Sequence, residues 1–181
     1  MPTDTTYIVC ASGQSLTRAD VNYCQGKGTV IVINNTYKIA PWADVLWACD
    51  MQWWKAYPEA MAFKGRKISV QNSEVEQIKT LDKAGLGLDQ VHTGGNSGYQ
   101  AINWAFLQGA KRIILLGFDM HGTHWHGKHV RGLNNCHPFG QWIKAFNRMA
   151  KDFEKTDCEV INCTPNSVLD CFKKQELRQT I

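Results

Sequence analysis

The 181 residues have the composition of an ordinary globular chain, with 44% hydrophobic and 20% charged residues. Such a composition allows a sizeable core and excludes a long disordered or low-complexity chain. The formal net charge of +4 is mild, and no block of basic residues of the kind that forms a nucleic-acid-binding arm occurs. Nucleic acid is therefore disfavoured as a partner without being excluded, and the charge predicts only a modest attraction to phosphorylated ligands.

Short apolar runs alternate with amphipathic segments along the chain, and this pattern is typical of an α/β protein. In chain order it predicts strand Tyr7–Cys10, helix Thr17–Gln25, strands Thr29–Ile33 and Val45–Ala48, helix Asp50–Met61, strand Lys67–Val70, helices Ser73–Leu81 and Ser97–Gln108, strand Arg112–Leu116, helix Pro138–Lys155, strand Glu159–Asn162 and a short helix at Ser167–Phe172. The strands are continuous apolar runs, as strands covered on both faces are. We therefore predict one domain over 1–181, a single Rossmann-like three-layer α/β sandwich with a mostly parallel sheet.

Two of the predicted helices carry signals for their ends. Thr17 and Asp20 have the spacing of a capping box at the start of the first helix. Gly109 directly follows Ser97–Gln108, where the glycine beyond a helix C-terminus belongs. Because the apolar residues of Ser97–Gln108 also share one face, this helix is the most clearly defined one in the pattern.

The cysteines and the lack of targeting signals predict the compartment. Seven cysteines occur, none in a C-x-x-C pair, and Cys10, Cys49 and Cys163 lie in or at the end of apolar runs where they would act as small core residues. We see no signal-peptide pattern and no apolar run near the ~20 residues that a membrane span needs. We therefore expect a reduced, cytoplasmic protein with free thiols and without a membrane span.

The loops that follow the predicted strands are the candidate ligand site, because open parallel sheets bind ligands beyond the carboxyl ends of their strands. Each of these loops is polar or contains glycine, and small residues or a helix start can present backbone N–H groups to a phosphate. Tight turns and helix caps explain the same residues equally well. The candidate nucleotide- or donor-binding residues are Ser12, Gly13, Ser15, Asn34, Asn35, Asp50, Gly95, Asn96, Ser97, Gly117, Asp119, Lys128, Arg131 and Thr164.

Amide and carboxylate side chains in these loops leave several roles open. Asn34 and Asn35 offer both donors and acceptors, which suits a base or sugar edge, and an Asx turn is the alternative. Asp50 and Asp119 both follow a strand directly. Two carboxylates there would hold Mg²⁺, bind a ribose or cap the following helix, and the sequence does not choose among these roles.

Four histidines lie within the nine residues HGTHWHGKH, at 121–129. Transition-metal ligation, a general base or phosphate ligand, and surface packing are all open to them. The stretch lacks the H-E-x-x-H arrangement, while Lys128 and Arg131 add positive charge that favours an anionic ligand. Trp125 stands among polar residues and is the tryptophan that we expect to stack on a base or sugar.

The helix and strand between the glycine turn at Thr93–Asn96 and the histidine loop predict that the two lie close together. Ser97–Gln108 carries the chain away from the turn and Arg112–Leu116 carries it back. The turn and the histidine loop should therefore face one cleft at the same edge of the sheet.

Four stretches of the chain carry a family resemblance: IVCASGQSL, VINNTY, GGNSGYQAINWAFLQGAKRIILLGFDM and VINCTPNSVL. In this order they resemble the superfamily that joins the bacterial sialyltransferases of glycosyltransferase family 42 to the archaeal 6-hydroxymethylpterin diphosphokinases. The resemblance is closest to small phage and prophage members, and it spans most of the chain. A phage-encoded protein would act in the host cytoplasm.

The resemblance implies a transferase that acts on a nucleotide-activated donor, as a sialyltransferase-like glycosyltransferase with a loop histidine as general base and no required cofactor. Ser12–Ser15, Asn34 or Asn35, and Ser97–Gly98 would hold the cytidine nucleotide of the donor. The stretch Gly117–Asp119 would lead into the catalytic region. Where the family has tyrosines that hold the donor phosphate, this chain has Met120 and the histidine loop. The candidates for the base are His124, His126 and His129, with His137 further along the chain.

Three other functions stay open at this stage. A diphosphokinase-like enzyme would move pyrophosphate from ATP and would need Mg²⁺ on Asp50 and Asp119. A phage protein of this fold would also serve as a non-catalytic nucleotide-binding module, and a metal-binding protein would use the histidine loop. The expected partner is a nucleotide or nucleotide sugar in each of the nucleotide-dependent cases, and formation of a homo-oligomer is left open.

Overall fold

The computed structural model describes residues 5–130, 132–133 and 137–181. Its strands are β1 (Thr6–Cys10), β2 (Thr29–Ile33), β3 (Val45–Trp47), β4 (Arg66–Ser69), β5 (Glu76–Gln77), β6 (Thr80–Leu81), β7 (Val91–His92), β8 (Arg112–Leu116), β9 (Glu159–Asn162) and β10 (Lys173–Lys174). Eight of them form one sheet in the order β10-β9-β8-β1-β2-β3-β4-β5, and β6 pairs with β7. Every described neighbour pair in the large sheet is parallel, so the fold is an α/β sandwich around a parallel sheet.

The helices cover both faces of this sheet. They are α1 (Arg18–Tyr23), α2 (Met51–Ala56), α3 (Ser97–Leu107), α4 (Phe139–Phe153) and α5 (Leu177–Thr180), with 3-10 turns at Asn34–Lys38 and Pro58–Ala62. Tyr7 and Val9 of β1 belong to one hydrophobic cluster together with residues of α3 and α4, while Ile8 and Cys10 belong to a second cluster together with residues of α1, α2 and α5. Successive side chains of a strand point to opposite faces, so the two clusters lie on opposite sides of the sheet.

The connectivity of the sheet reverses beside its central strand. From β1 the chain adds β2, β3, β4 and β5 on one side, and then returns to place β8 and β9 on the other side of β1. The chain therefore continues from β1 and from β8 into opposite halves of the sheet. In open α/β sheets this topological switch point is where a crevice for ligands forms.

All six strands predicted from the sequence are present within one residue of their predicted bounds. The helix predicted for Asp50–Met61 is shorter than expected, because Tyr57 leaves the helical region (φ −128°, ψ 63°) directly before Pro58. A proline disfavours the helical conformation of the residue that precedes it. The capping signals are confirmed, since the Thr17 side chain accepts a hydrogen bond from Asp20 N and Gly109 follows α3 at φ +88°.

The helix predicted for Ser73–Leu81 is wrong, because the segment forms the short strands β5 and β6. Glu74 N donates to Asn72 Oδ1 over 3.0 Å, a local turn that competes with a helix start. Ile78 N donates to Ser69 O over 2.8 Å, so the segment is held by pairing with β4 rather than by its own pattern. Strand formation of this kind depends on a partner that local periodicity does not reveal.

The helix predicted for Ser167–Phe172 is also wrong, because that segment is irregular and is followed by β10 and α5. The Ser167 hydroxyl donates to Phe118 O over 2.6 Å and accepts from Leu169 N over 3.1 Å. These bonds tie the segment to the loop after β8 and replace the local bonds of a helix.

Six cysteines lie among the described residues, and all of them are free thiols. Cys10 and Cys163 are buried, as expected for small core residues, whereas Cys49 is only partly buried. Cys136 lies outside the described residues. No helix in the described part of the chain is both long and apolar enough to cross a membrane.

Candidate functional site

A pocket lies at the switch point, between the loops that follow β1 and β8. Its wall is completed by the end of β2, the N-terminus of α3, the histidine loop and the start of α4. Of the candidate binding residues predicted from the sequence, those that line the pocket are Ser12, Gly13, Asn34, Asn96, Ser97, Gly117 and Asp119. The structure thus brings the glycine turn and the histidine loop to one pocket, through Asn96 on one side and His121 and His124 on the other.

Asp119 joins the two loops that form the floor of the pocket. It is buried, and its Oδ1 and Oδ2 atoms accept hydrogen bonds from Ser15 N (3.0 Å) and from the Ser15 hydroxyl (2.9 Å). Gly13 N donates to Gly117 O over 2.9 Å between the same loops. The donors of Ser15, which the sequence offered as phosphate ligands, are therefore engaged by a carboxylate of the protein itself.

Gly13 permits this close approach of the two loops. A Cβ atom at Gly13 would stand 1.9 Å from Asp119 Oδ2 and 2.4 Å from the Gly117 carbonyl oxygen. Rotation of the Asp119 side chain would relieve the first contact only by breaking its bonds to Ser15. The second contact is with a backbone atom, which side-chain rotation cannot move. A glycine is therefore required here for space.

Substitution Gly13→Ala is expected to lower the free energy of unfolding by about 1–3 kcal/mol, the usual cost of forcing an extra carbon into packed surroundings. Chemical denaturation measures the loss. Gly140→Ala is the matched control, because Gly140 lies in α4 with no atom within 4 Å of its would-be Cβ. Alanine at that helical position should be neutral or stabilising. Equal stability of the two variants would contradict the packing seen at Gly13.

The two asparagines after β2 have different surroundings. Asn34 lines the pocket and adopts a left-handed conformation (φ +49°), which asparagine tolerates better than most residues. Asn35 is buried, and its Oδ1 atom accepts a bond from Trp53 Nε1 over 2.7 Å. Asn34 is thus the asparagine available to a ligand, and Asn35 orients a core tryptophan.

The N-terminus of α3 forms the wall opposite the histidine loop. Asn96 caps the helix by accepting a bond from Tyr99 N over 2.8 Å, and Ser97 Oγ accepts one from Cys49 N over 3.3 Å. Gly98 lies against Phe118, whose ring would be 2.9 Å from an added Cβ atom. The positive end of an eleven-residue helix therefore borders the pocket, which favours an anionic group there.

Several predicted residues lie elsewhere. Asp50, at the start of α2, is exposed and does not line the pocket, so it is not paired there with Asp119 as a Mg²⁺ site would need. Thr164 Oγ1 accepts a bond from Phe118 N over 3.0 Å, and Thr164 borders a different cavity. The carbonyl of Gly95 accepts a bond from Trp142 Nε1. Lys128 is exposed and does not line the pocket. Arg131 lies outside the described residues.

The histidine loop is pinned to the strand-end loops by its backbone and by Trp125. Trp125 N donates to Ser12 O over 2.9 Å, and its indole Nε1 donates to Thr36 Oγ1 over 3.2 Å. His124 forms an antiparallel bridge with Gly13 and another with Gly127, whose φ of +82° allows the tight turn. Trp125 therefore holds the loop in place, and its indole is not among the pocket-lining groups.

Three histidines of this loop converge. One ring nitrogen from each of His124, His126 and His129 lies within 4.8 Å of the other two. The rings of His124 and His126 are stacked, 4.9 Å apart and 6° from parallel. His137 stands edge-on to His124, with ring centroids 4.8 Å apart. We call His124, His126 and His129 the histidine group.

Burial keeps these imidazoles neutral at neutral pH. Burial lowers the pKa of His124 to about 4, with smaller contributions from the neighbouring histidines. Burial also lowers the pKa of His126 to about 4, with smaller contributions from the charges of His129 and Lys38. Burial also lowers the pKa of His129 and of His137. Neutral imidazole is the form that accepts a proton or ligates a metal ion.

Several aromatic residues line the pocket but could not be identified as site residues from the sequence. Phe118, Phe139 and Trp142 line the pocket, and His137 contacts both Phe139 (5.3 Å) and Trp142 (5.9 Å) by its ring. In the sequence these aromatic residues follow the helical pattern of α4 or continue the apolar strand β8, so they were indistinguishable from core residues.

Comparison of the chain with protein families, with curated proteins and with solved structures finds no match.

Proposed function

We propose that the protein is a transferase that binds a nucleotide-activated donor, most simply a nucleotide sugar, in the pocket at the switch point. The observation that carries the proposal is the position of the pocket between the loops after β1 and β8, with the N-terminus of α3 on its wall. Parallel α/β sheets bind nucleotides at this place, and a helix N-terminus favours a phosphate.

The surroundings of the pocket suit the parts of such a donor. Asn34 offers an amide to a base or sugar edge, while Phe139 and Trp142 offer apolar surface. The pocket encloses about 120 Å³, less than the ~300–1,000 Å³ of pockets that enclose a whole small molecule. A nucleotide sugar would therefore extend out of it, which leaves the transferred group accessible to an acceptor.

Among the histidines that line the pocket, His137 is the best placed to deprotonate an acceptor hydroxyl. The ring nitrogens of His121 lie within hydrogen-bond distance of Gln14 Nε2 (3.5 Å) and Asn166 O (3.1 Å). His124 is stacked inside the histidine group. His137 lies at the edge of that group, beside two aromatic residues of the pocket wall. We assign it the role of general base.

Nucleotide binding tests the first half of the proposal. We expect CMP or CMP-sialic acid to raise the melting temperature without Mg²⁺, because a ligand that binds the folded state stabilises it by mass action. Asn34→Gly should weaken the shift, since it keeps the left-handed backbone but removes the amide. Asn166→Gly is the control, because Asn166 is also left-handed (φ +55°) and lies outside the pocket. A shift with ATP that requires Mg²⁺ would favour a diphosphokinase instead, and no shift with any nucleotide would contradict the proposal.

Donor turnover tests the second half. His137→Asn should slow hydrolysis or transfer of the donor by roughly 10²–10⁴-fold, the usual contribution of a positioned acid or base. Its melting-temperature shift with CMP should stay close to that of the wild type. Unchanged turnover in this variant would exclude His137 as the base, and nucleotide binding without any turnover in the wild type would indicate a binding protein.

A further inference from the structure

We infer that His124, His126 and His129 form a binding site for a single Zn²⁺ ion. The convergence of one ring nitrogen from each to within 4.8 Å of the others is the observation from which the inference starts. It goes beyond the proposed function, for which no metal is required, and it stands or falls independently of nucleotide binding.

The backbone prepares this site rather than leaving it to a mobile loop. Gly127 N donates to His124 O over 3.0 Å, which closes the turn that returns the chain from His126 toward His129. The bridge between His124 and Gly13 and the bond from Trp125 N to Ser12 O fix the turn to the loop after β1. Metal ligands held by such supporting contacts lose little conformational freedom when the ion binds.

Two buried nitrogens of the group lack a protein partner. His124 Nδ1 and His126 Nε2 are buried and accept or donate no hydrogen bond among the described residues. A buried polar atom without a partner costs free energy, and native proteins contain few of them. A metal ion bound by these nitrogens would supply the missing interaction.

The distances fit a small rearrangement on binding. In a tetrahedral site with Zn–N bonds of about 2.0–2.1 Å, ligand nitrogens stand roughly 3.3 Å apart. The nitrogens of the group are at most 4.8 Å apart, so the rings must approach by at most about 1.5 Å. Rotation of the imidazoles about their side-chain bonds provides movements of this size.

The chemistry of the ligand atoms determines which class of metal ion the group would bind. The group consists of imidazoles alone, with neither a carboxylate nor a thiolate among its described members. Imidazole suits zinc, copper, nickel and iron, whereas Mg²⁺ and Ca²⁺ require oxygen ligands. Three protein ligands that leave a fourth position open are typical of catalytic rather than structural zinc sites. Since His124 also lines the pocket, the ion would lie at the edge of that pocket.

Zinc titration of untagged, chelator-treated protein tests the inference, because a polyhistidine tag would itself bind the metal. We expect one Zn²⁺ per chain by calorimetry and by elemental analysis, and a visible Co²⁺ spectrum of a four-coordinate site. His126→Asn and His129→Asn should each weaken zinc binding by more than the roughly 10–100-fold that loss of an outer partner costs. His121→Asn, a histidine of the same loop outside the group, should bind zinc as the wild type does.

Circular dichroism and melting of each variant in the presence of chelator establish that it is folded before the titration. Absence of zinc uptake by folded wild-type protein would overturn the inference. Undiminished uptake by folded His126→Asn and His129→Asn would also overturn it, since other residues would then bind the ion. Stoichiometric uptake that fails in these two variants and persists in His121→Asn supports it.

Discussion

An Asn103→Leu variant is expected to lose about 3–5 kcal/mol of unfolding free energy, because it leaves three buried backbone groups without partners. Asn103 is fully buried in α3. Its Oδ1 atom accepts bonds from Gly87 N and His92 N, and its Nδ2 atom donates to Gly87 O, each over 2.9 Å. Leucine fills a similar volume but replaces none of these bonds. Denaturant unfolding at constant m-value measures the loss.

The matched control is Asn147→Leu, which makes the same exchange at an exposed position of α4. Its effect should stay within about 0.5 kcal/mol, as is usual for surface substitutions. If Asn103→Leu were as mild as this control, the backbone groups of Gly87 and His92 would have to find other partners, and the network inferred around Asn103 would be wrong.

The network around Asn103 positions one wall of the pocket. Asn103 holds residues 87–92, and the Tyr99 hydroxyl donates to Gly85 O over 2.7 Å. This segment leads through β7 into Gly94, which lies directly against the Tyr99 ring. The start of α3 at Asn96 is therefore anchored from within its own helix. We expect Asn103→Leu to weaken nucleotide binding as well as stability, because the loop that precedes Asn96 loses its attachment.

The central strands could be predicted from the sequence because they are buried on both faces. Residues 30–33 and 113–116 form unbroken apolar runs, and such runs are the sequence signal of strands that are covered on both faces. The short edge strands β5 and β10 could not be predicted in this way. They consist of exposed residues, and their conformation depends on pairing with β4 and β9. Pairing across the sheet leaves no signal in a two-residue stretch.

The place of the candidate site could be predicted, but the role of each residue could not. The rule that ligands bind at strand carboxyl ends placed Gly13, Asn34 and Asp119 at one edge of the sheet, where they line one pocket. The sequence does not reveal that Asp119 is satisfied by Ser15, or that Asn35 serves Trp53. Such assignments depend on contacts between loops that are distant in the chain. Ser15 and Asp119, for example, are about a hundred residues apart.

In the histidine loop, too, the role of each residue could not be predicted from the sequence. The spacing of HGTHWHGKH allowed a metal site, a base or surface packing, and it does not show which of the four histidines lie together in space. The turn at Gly127 separates them, because it brings His124, His126 and His129 together while His121 lies near Gln14 and Asn166 O. The fold thus divides one histidine-rich stretch into a convergent group and a neighbouring residue with other partners.

Substitution Asp119→Ala is expected to lower the free energy of unfolding by about 3–6 kcal/mol and to abolish the nucleotide-induced rise in melting temperature. Two hydrogen bonds to a buried carboxylate are lost, each worth roughly 1.5–3 kcal/mol, and Ser15 N is left without its acceptor. The loops after β1 and β8 then lose the contact that sets the floor of the pocket. Thermal melting with and without CMP measures both effects in one experiment.

Asp119→Asn separates the structural role of this side chain from its charge. The amide oxygen still accepts a bond from Ser15 N, and the Ser15 hydroxyl turns to accept one from the amide nitrogen. The variant should therefore lose only about 1 kcal/mol and should keep its response to CMP. If Asp119→Asn abolished nucleotide binding while remaining as stable as the wild type, the carboxylate itself would act on the ligand, as a Mg²⁺ ligand would. The response of the wild type to ATP with and without Mg²⁺ would then decide between the transferase and the diphosphokinase.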